Sequence, residues 1–328
     1  MFRGRYFPLL CRWRRSFLFI FILVPSILIS GCAAYNFSAI KRDLGTTGYD
    51  GYYIDKVPFE KQSRYQCGPA ALSSVMKYWG KEVSPEEIAK AVYIPCIRGT
   101  LDFDLENFPT GHGFWVRSYS ATFKDLKAKI KKDIPLIVLH RQGPQFLNKY
   151  HYLVVVGYDE PRGLVVAHTG HKKDAVFTTR DFLRRWDGAQ RWALIVVPAE
   201  KVDWQLSAEE HNSLGLFYEK RGDLARAKDN YEKSIRLEPK IATFYFNLGN
   251  VTLKLRNFND AEDAYKRAIE LDPTFADAYN NLACVYLEQR LNLDKAKQLV
   301  DKALKLNPEG NRYYLDTLAS INEFLEVK

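Results

Sequence analysis

The sequence predicts an α+β domain followed by an all-α array of helical repeats. Between about residue 52 and residue 200, helical patterns come first and short apolar strand patterns follow, an order typical of an antiparallel α+β domain. Over residues 207–328, apolar and small positions recur with a period of 34 residues. A chain of 328 residues also exceeds one comfortable hydrophobic core, so two domains are expected.

Residues 1–31 have the pattern of an export signal rather than of a folded element. Five arginines precede an apolar run over residues 16–29, which is too short for a comfortable membrane span. The run ends with an aliphatic residue, two small residues and a cysteine: Ile29, Ser30, Gly31 and Cys32. This pattern resembles the lipobox of bacterial lipoproteins, which implies that Cys32 carries a lipid and begins the mature chain. The alternative is an uncleaved signal anchor with an incidental cysteine.

The lipobox resemblance also implies a location in a bacterial cell envelope. The chain would be anchored to a membrane through its lipid and face the periplasm, and Ala33 after the cysteine favours the outer membrane over the inner one.

Loss of the five arginines lowers the formal net charge from +9 to +4. The sequence also has no basic stripe interleaved with aromatic residues, so no nucleic-acid partner is predicted. Residues 32–51 are polar and aperiodic and are expected to form a tether.

A cysteine begins the first strong helical pattern of the α+β domain, predicted from Cys67 to about Trp79. Pro69 suits the first turn of a helix, and Gly80 is a typical helix stop. A thiol at a helix N-terminus lies near the positive end of the helix dipole, which favours the thiolate. Cys67 is therefore a candidate nucleophile, although a cysteine in this position is often a small buried side chain. A disulfide between Cys67 and Cys96 would block it.

Further helices and strands are predicted from caps, turns and apolar runs. A capping box at Ser84 begins a helix that ends near Val92. A lysine-rich amphipathic helix follows over about residues 122–132, and Thr179 is predicted to cap a helix that runs through residue 186. Strands are predicted over residues 135–140, 152–158, 164–169 and 192–198.

A nucleophilic thiol needs a base that first removes its proton and later protonates a leaving amine. The domain offers five histidines: His112, His140, His151, His168 and His171. His151 begins the segment His-Tyr-Leu-Val-Val-Val-Gly-Tyr-Asp, so it would stand at the mouth of a strand, held by the sheet. His112 and His140 are interpreted as structural.

Two motifs together resemble a known family. The first motif has Gln62, then four residues, then the run Cys-Gly-Pro-Ala-Ala-Leu that begins at Cys67. The second motif is the run His-Tyr-x-Val-Val-x-Gly-Tyr-Asp that begins at His151. This resembles the papain-like cysteine peptidases that process bacteriocin leaders, the double-glycine peptidase-like family, over about residues 57–198. The resemblance implies a papain-like peptidase domain over residues 52–200 that acts on a peptide or protein substrate. Cys67 would attack the carbonyl, His151 would be its base, and Gln62 would contribute to the oxyanion hole.

The chain departs from the family pattern in two places. Gln62 stands five residues before Cys67, whereas the leader peptidases commonly show six, and Gln66 competes for its role. The aspartate that usually follows on the next strand is missing. A hairpin that closes near Tyr158 would place His151 opposite about Gly170, with His168 on the same face one pair away. His168 is therefore predicted to orient His151, less effectively than a carboxylate would.

The C-terminal repeat resembles the tetratricopeptide repeat (TPR). Leu-Gly, an aromatic or Thr, Ala, Tyr and Pro recur from Ser207 onward, and residues 311–327 have the pattern of a capping helix. The resemblance implies an all-α superhelix over residues 207–328 whose concave face binds a protein or peptide partner.

Three functions remain open from the sequence, one of them an amidase or transglutaminase that acts on cell-wall or protein amides through Cys67 and His151. The first is a lipid-anchored cysteine peptidase of the cell envelope, with repeats that recruit a partner. The second is a catalytically weak or inactive peptidase-like scaffold, which the missing aspartate favours. No cofactor or metal is predicted, because the sequence has neither paired Cys/His ligand spacing nor a glycine-rich phosphate loop.

Overall fold

The computed structural model describes residues 37–44, 46–64, 66–94, 99–100, 102–143, 149–309 and 312–326. From Phe37 onward the chain forms one compact unit. The predicted signal segment 1–31, the lipobox residue Cys32 and the loop residue Cys96 lie outside the described residues.

The first half of the described chain mixes short helices with strands. Its helices are α1 (Phe37–Lys41), α2 (Cys67–Tyr78), α3 (Pro85–Val92), α4 (Asp102–Gly111), α5 (Phe123–Ile130) and α6 (Thr179–Asp187). Its strands are β1 (Gly51–Tyr53), β2 (Tyr93–Ile94), β3 (Gly99–Thr100), β4 (Phe114–Ser120), β5 (Leu136–Gln142), β6 (Lys149–Asp159), β7 (Leu164–His168), β8 (Ala175–Thr178) and β9 (Trp192–Pro198).

The second half is helical. Its helices are α7 (Ala208–Lys220), α8 (Leu224–Leu237), α9 (Ala242–Lys254), α10 (Phe258–Leu271), α11 (Ala276–Gln289), α12 (Leu293–Leu306) and α13 (Arg312–Glu326). The predicted order, an α+β domain with an antiparallel sheet followed by a helical repeat region, is confirmed.

Strand β6 is the centre of the main sheet in the described part of the chain. The strand order is β4-β9-β5-β6-β7-β8, and β1 pairs with the far end of β6. Every one of these pairings is antiparallel. From Tyr152 to Asp159 strand β6 is fully buried, because helix α2 packs on the sheet along it. The sheet therefore holds the two motifs of the sequence analysis against each other.

Local signals account for several helix ends. Ser84 accepts from the backbone N–H of Glu87, whose carboxylate accepts from the N–H of Ser84, so the predicted capping box is present. Gly80 follows α2 with a φ of +82°, in the left-handed region that glycine favours. The cap of α6 is Thr178 rather than the predicted Thr179, because the Thr178 hydroxyl accepts from the Asp181 N–H.

The structure contains elements that the sequence analysis did not predict. Helix α4 carries Pro109 in its interior, which argues against a helix in a sequence pattern. Strand β4 was missed because its last residues are polar, and it is held by pairing with β9 rather than by an apolar run of its own.

Residues 37–51 are not a free tether. Helix α1 places Phe37 against the ring of Tyr53, with ring centroids 4.9 Å apart, and buries Ile40. The Tyr49 hydroxyl donates to buried Asp159 at 2.7 Å. Polarity concealed these contacts in the sequence, because the segment is fixed by hydrogen bonds to distant residues rather than by an apolar stripe.

The repeat helices pack through small residues that face aromatic rings. A Cβ on Gly215 would lie 2.5 Å from the Tyr231 ring, and one on Gly249 would lie 2.6 Å from the Tyr265 ring. Two pairs of amide side chains join successive first helices of the repeats: Asn247 with Asn212 at 2.8 Å, and Asn281 with Asn250 at 2.9 Å. Close helix contact explains why the sequence repeats glycine and tyrosine at this spacing.

The first repeat shares its core with the α+β domain. The indole N–H of Trp115 in β4 donates to the Ser213 hydroxyl of α7 at 3.2 Å, and Trp115 also packs near Trp204. Leu214 and Phe217 of α7 belong to the same buried cluster as the sheet. The two halves are therefore joined by a packed interface. None of the helices in the described ranges combines the length and the apolar run that a bilayer crossing requires.

Candidate active site

Cys67 is the first residue of α2, which packs on the central strand β6. Its side chain is half-buried, and the backbone N–H groups of Tyr152, Gly68 and Cys67 itself lie close to the sulfur. Burial raises the pKa of the Cys67 thiol, and these three N–H groups only partly offset the rise. A Cβ on Gly68 would lie 3.3 Å from the Tyr152 ring, so a residue without a side chain lets β6 approach the helix start closely.

A small cavity of about 10 Å³ adjoins the thiol, about the room that one water molecule needs. It is lined by residues of α2, of the segment before it, and of β6 and β7 with the turn that follows: Glu60, Cys67, Ala70, Ala71, Ser74, Tyr152, Val154, His168 and Gly170. Tyr152 and Val154 face this cavity. Because side chains alternate along a strand, His151 is directed away from it. No hydrogen bond joins Cys67 to His151 in the part of the chain that the structure describes.

The pairing of β6 with β7 differs from the predicted hairpin by one residue. Val154 lies opposite His168 and Val155 opposite Ala167, and a bulge between Val155 and Gly157 shifts the register beyond. A shift of one residue moves a side chain to the other face of a sheet. His168 therefore shares a face with Val154 and Cys67, and not with His151. The predicted orientation of His151 by His168 was wrong for this reason.

Both ring nitrogens of His168 are occupied by backbone groups. Nε2 lies 3.1 Å from the carbonyl oxygen of Val57 and must donate to it, while Nδ1 accepts from the backbone N–H of Asp174 at 3.3 Å. Burial lowers the pKa of His168, although the bond to Val57 and the Asp174 carboxylate, 3.6 Å from Nδ1, act in the opposite direction. These contacts give His168 a structural task, tying β7 to the segment before α2.

His151 is oriented by the turn that follows β7. Its Nε2 lies 2.7 Å from the carbonyl oxygen of Thr169 and donates to it, which leaves Nδ1 with a free lone pair in the neutral ring. Burial lowers the pKa of His151, although the bond to Thr169 acts in the opposite direction. The His151 ring also lies parallel to that of His171, with centroids 5.8 Å apart and 2° between the planes.

Gln62 is held by the same turn. Its backbone N–H donates to the Gly170 carbonyl at 2.9 Å, and its side-chain Nε2 lies 3.0 Å from Nε2 of His171. The other amide atom, Oε1, is buried and has no partner among the described residues. A Cβ on Gly170 would lie 2.4 Å from this Oε1, so the amide end reaches a residue that lines the Cys67 cavity.

Turning the Gln62 amide by 180° would exchange its two ends, whose assignment depends on their hydrogen bonds. The NH₂ group would then point to the buried position, and Oε1 would accept from His171. In that orientation Gln62 offers a donor next to the cavity. Gln66, the competing residue, is the N-cap of α2 without a side-chain capping bond, and its Oε1 is buried without a partner in the described ranges.

Thr169 and His171 are the two residues to which the sequence analysis gave no role. Thr169 acts through its backbone carbonyl, which no side-chain pattern reveals. The signal for His171 was the Thr-Gly-His that follows the predicted strand, with Gly170 at a φ of +74°.

Within the described residues, no three His, Cys, Asp or Glu side chains converge in a metal-binding arrangement.

Family comparisons agree with this architecture. The model of the Peptidase_C39 like family matches residues 54–207. Tetratricopeptide repeat models match residues 208–241, 242–275 and 264–298. The chain thus combines a peptidase C39-like domain with C-terminal tetratricopeptide repeats.

TPR domains are among the solved structures that are similar to this chain. The first TPR of Spaghetti (RPAP3), bound to the HSP90 peptide SRMEEVD, is 24% identical with a TM-score of 0.35; the match covers 37% of this chain and 94% of that one. The second TPR domain of human RPAP3, in complex with the HSP70 peptide SGPTIEEVD, is 26% identical with a TM-score of 0.34; the match covers 35% of this chain and 94% of that one. The TPR2B domain of yeast Sti1, from a pHsp70 complex, is 26% identical with a TM-score of 0.34; the match covers 35% of this chain and 96% of that one. No curated protein matched the chain.

Proposed function

We propose that the C39-like domain is a cysteine peptidase with Cys67 as nucleophile, His151 as base and Gln62 as oxyanion donor. The carrying observation is the thiol at the N-terminus of α2, surrounded by three backbone N–H groups. These N–H groups offset part of the cost that burial adds to forming a thiolate, and they can later stabilise the oxyanion formed when the sulfur attacks a carbonyl. The family match over residues 54–207 supports this chemistry.

The proposed reaction balances with these groups alone. The thiol proton passes to Nδ1 of His151 as sulfur attacks the peptide carbonyl carbon, and the negative oxygen accepts from the Cys67 N–H and from Gln62. His151 then returns the proton to the leaving amine as the C–N bond breaks, which leaves a thioester. His151 next takes a proton from water, and the hydroxide releases the acid and restores the thiol.

The described arrangement is a closed resting state of this site. The cavity beside Cys67 has room for little more than one water, and the His151 ring is directed away from it. A substrate must therefore open the cleft between α2 and the turn after β7, and the His151 ring must turn toward the sulfur.

The test is the hydrolysis of a defined peptide mixture, with new termini read by mass spectrometry. Cys67→Ala and His151→Ala are expected to abolish cleavage or reduce it by at least about a hundredfold, the range of general-base catalysis. Cys284→Ser, which changes the half-buried thiol of α11, is the matched control and should retain full activity. Cleavage that persists in Cys67→Ala would refute the proposal.

The alternative is an inactive peptidase-like scaffold, and the closed cavity and absent Cys67–His151 bond favour it. Labelling with a peptide carrying a thiol-directed acyl electrophile separates the two. A peptidase should acylate Cys67 much faster than Cys284, and His151→Ala should slow that reaction. A scaffold should label both half-buried thiols slowly and alike.

We further propose that Cys32 is lipidated and anchors the chain in a bacterial cell envelope, facing the periplasm and more consistent with the outer than the inner membrane. The lipobox pattern at residues 29–32 supports this. Metabolic labelling with an alkyne fatty acid is expected to mark the wild-type chain. Cys32→Ser should abolish both the label and membrane fractionation. Fatty-acid labelling that survives this change would exclude Cys32 as the anchor.

We also propose that the repeats bind a peptide or protein partner. The amide pairs Asn212–Asn247 and Asn250–Asn281 form a polar row along the first helices of successive repeats, in which Asn247 is buried and the half-buried Asn212, Asn250 and Asn281 suit contact with a peptide backbone. Asn250→Ala together with Asn281→Ala should slow cleavage of a protein substrate while hydrolysis of a short peptide is unchanged. Equal loss on both substrates would indicate structural damage rather than lost recruitment.

A further inference from the structure

A second cavity, of about 550 Å³, runs along one side of α6 to Gly188, and none of its lining residues lines the Cys67 cavity. It is lined mainly by charged side chains: Arg141, Arg180, Leu183, Arg184, Asp187 and Gly188. Its volume falls within the range of sites that hold a small molecule or a few side chains of a peptide.

The cavity carries positive charge that the described chain does not neutralise. Arg184 is paired with Asp181, and the lining carboxylate Asp187 is engaged by Arg191 at 2.6 Å. Neither Arg141 nor Arg180 forms an ion pair with a carboxylate in the residues that the structure describes. Two guanidinium groups are thus left to face the cavity.

Gly188 gives Arg141 its position. The φ of Gly188 is −62°, a helical value that any residue adopts, so its backbone does not require glycine. A Cβ there would lie 2.7 Å from Nε and 2.9 Å from Cζ of Arg141. The missing side chain makes room for the half-buried guanidinium, and a donor group held in place loses less entropy when it binds a ligand.

The cavity adjoins the strand that carries His151. Arg141 lies opposite Tyr150 in the pairing of β5 with β6, and the neighbouring pair is His140 with His151. Tyr150 is 42% exposed, an aromatic residue on the strand position opposite Arg141. A chain lying along this edge would meet both the ring and the guanidinium groups.

We propose that this cavity is a binding site for the carboxylate side chains of an acidic peptide segment, held by Arg141 and Arg180. Planar guanidinium groups bind carboxylates through paired, charge-assisted hydrogen bonds. The site goes beyond the proposed peptidase chemistry, because it does not involve the thiol.

The test is the fluorescence anisotropy of a labelled peptide of alternating Glu and Ser, with a Gln-Ser peptide of equal length as the uncharged comparison. The full chain is used, and Cys67→Ala is included so that cleavage does not affect the signal. The double variant Arg141→Gln/Arg180→Gln is expected to weaken binding of the acidic peptide about tenfold or more, since two charge-assisted contacts are lost. Thermal melts verify that each variant is folded.

A charge-matched control is Lys90→Gln/Lys124→Gln, which removes two exposed positive charges from α3 and α5. It should change binding by less than about twofold, because exposed charges away from a site act only through screened attraction. Gly188→Ala, whose helical backbone tolerates alanine, should weaken binding by displacing Arg141.

Four results would overturn the proposal. The first is equal binding of the Glu and Gln peptides, and the second is equal weakening of binding by both double variants. The third is wild-type affinity in Gly188→Ala. The fourth is an arginine double variant that no longer binds inorganic phosphate but still binds the peptide. The last would mean that the site takes a small free anion. Each result is independent of Cys67, so the proposed peptidase activity stands or falls separately.

Discussion

Nε2 of His151 and the backbone carbonyl oxygen of Thr169 lie 2.7 Å apart. A carbonyl oxygen only accepts hydrogen bonds, so this contact fixes the tautomer of the ring and leaves Nδ1 free to take a proton. An orienting aspartate performs the same task in enzymes with a catalytic triad, but its negative charge also stabilises the imidazolium. Here the main chain of the turn after β7 holds the ring in the resting arrangement without the charge, and this bond must break when the ring turns toward Cys67.

Replacement of Gly170 by alanine is expected to disturb this turn at Gln62. The new Cβ would lie 2.4 Å from Gln62 Oε1, and the φ of +74° adds backbone strain. Peptide turnover should fall by about tenfold to a hundredfold, approaching the cost of a lost oxyanion donor. Gly163→Ala is the matched control, since its φ is +62° and nothing lies within 4 Å of the new Cβ. An equal fall in both variants would assign the effect to strain alone.

Replacement of His171 by alanine removes the residue that touches both Gln62 and His151. It should lower kcat several-fold with little change in KM, because it positions groups that act after the substrate is bound. His112→Ala is the matched control, since His112 is also exposed, stacks on Phe108 at 4.4 Å and makes one side-chain bond, to the Phe108 carbonyl. NMR of the His151 Nε2–H provides a direct readout. An unchanged His151 signal in His171→Ala would contradict the positioning role.

The reactivity of Cys67 is expected to follow a single alkaline limb in the free chain. Burial raises the pKa of the thiol above its ordinary value of about 9 and lowers the pKa of His151, so both groups are neutral and no thiolate–imidazolium pair forms before substrate binds. Alkylation by iodoacetamide, located by peptide mass mapping, should accelerate steadily with pH and show no plateau at neutral pH. A plateau that disappears in His151→Ala would demonstrate a preformed ion pair instead.

His140 is expected to make the folded domain sensitive to acid. Burial lowers its pKa from 6.5 to about 3, because the ring packs on Phe177 and Phe182. Between these values the unfolded chain binds a proton that the folded chain rejects. The free energy of unfolding therefore falls by about 1.4 kcal/mol per pH unit as the pH drops below about 6.5.

His140→Phe should reduce this dependence of the unfolding free energy on pH by the amount that corresponds to about one proton, measured by urea unfolding at neutral and mildly acidic pH. It should cost little at neutral pH, since the His140 Nε2 is buried without a partner in the described chain. Identical slopes in His140→Phe and the wild type would show that the ring takes up its proton without unfolding.

Local signals in the sequence were sufficient for much of this molecule. The helix that starts at Cys67, the capping box at Ser84 and the repeated glycine–tyrosine pairs of the helical array all depend on residues close together in the chain. The family resemblance of the two domains was visible from the same short motifs. Helix α4 and strand β4 were not predicted, because an internal proline and polar residues concealed them.

The arrangement around His151 was decided by contacts that no local pattern contains. One extra residue in β6, at the bulge between Val155 and Gly157, places His168 on the Cys67 face of the sheet and the Thr169 carbonyl against His151. Strand periodicity predicts alternation but not where it is interrupted, and an interruption of one residue reverses every face beyond it. The residue types at the site could thus be identified from the sequence, whereas their hydrogen-bond partners depended on the register in which distant strands pair.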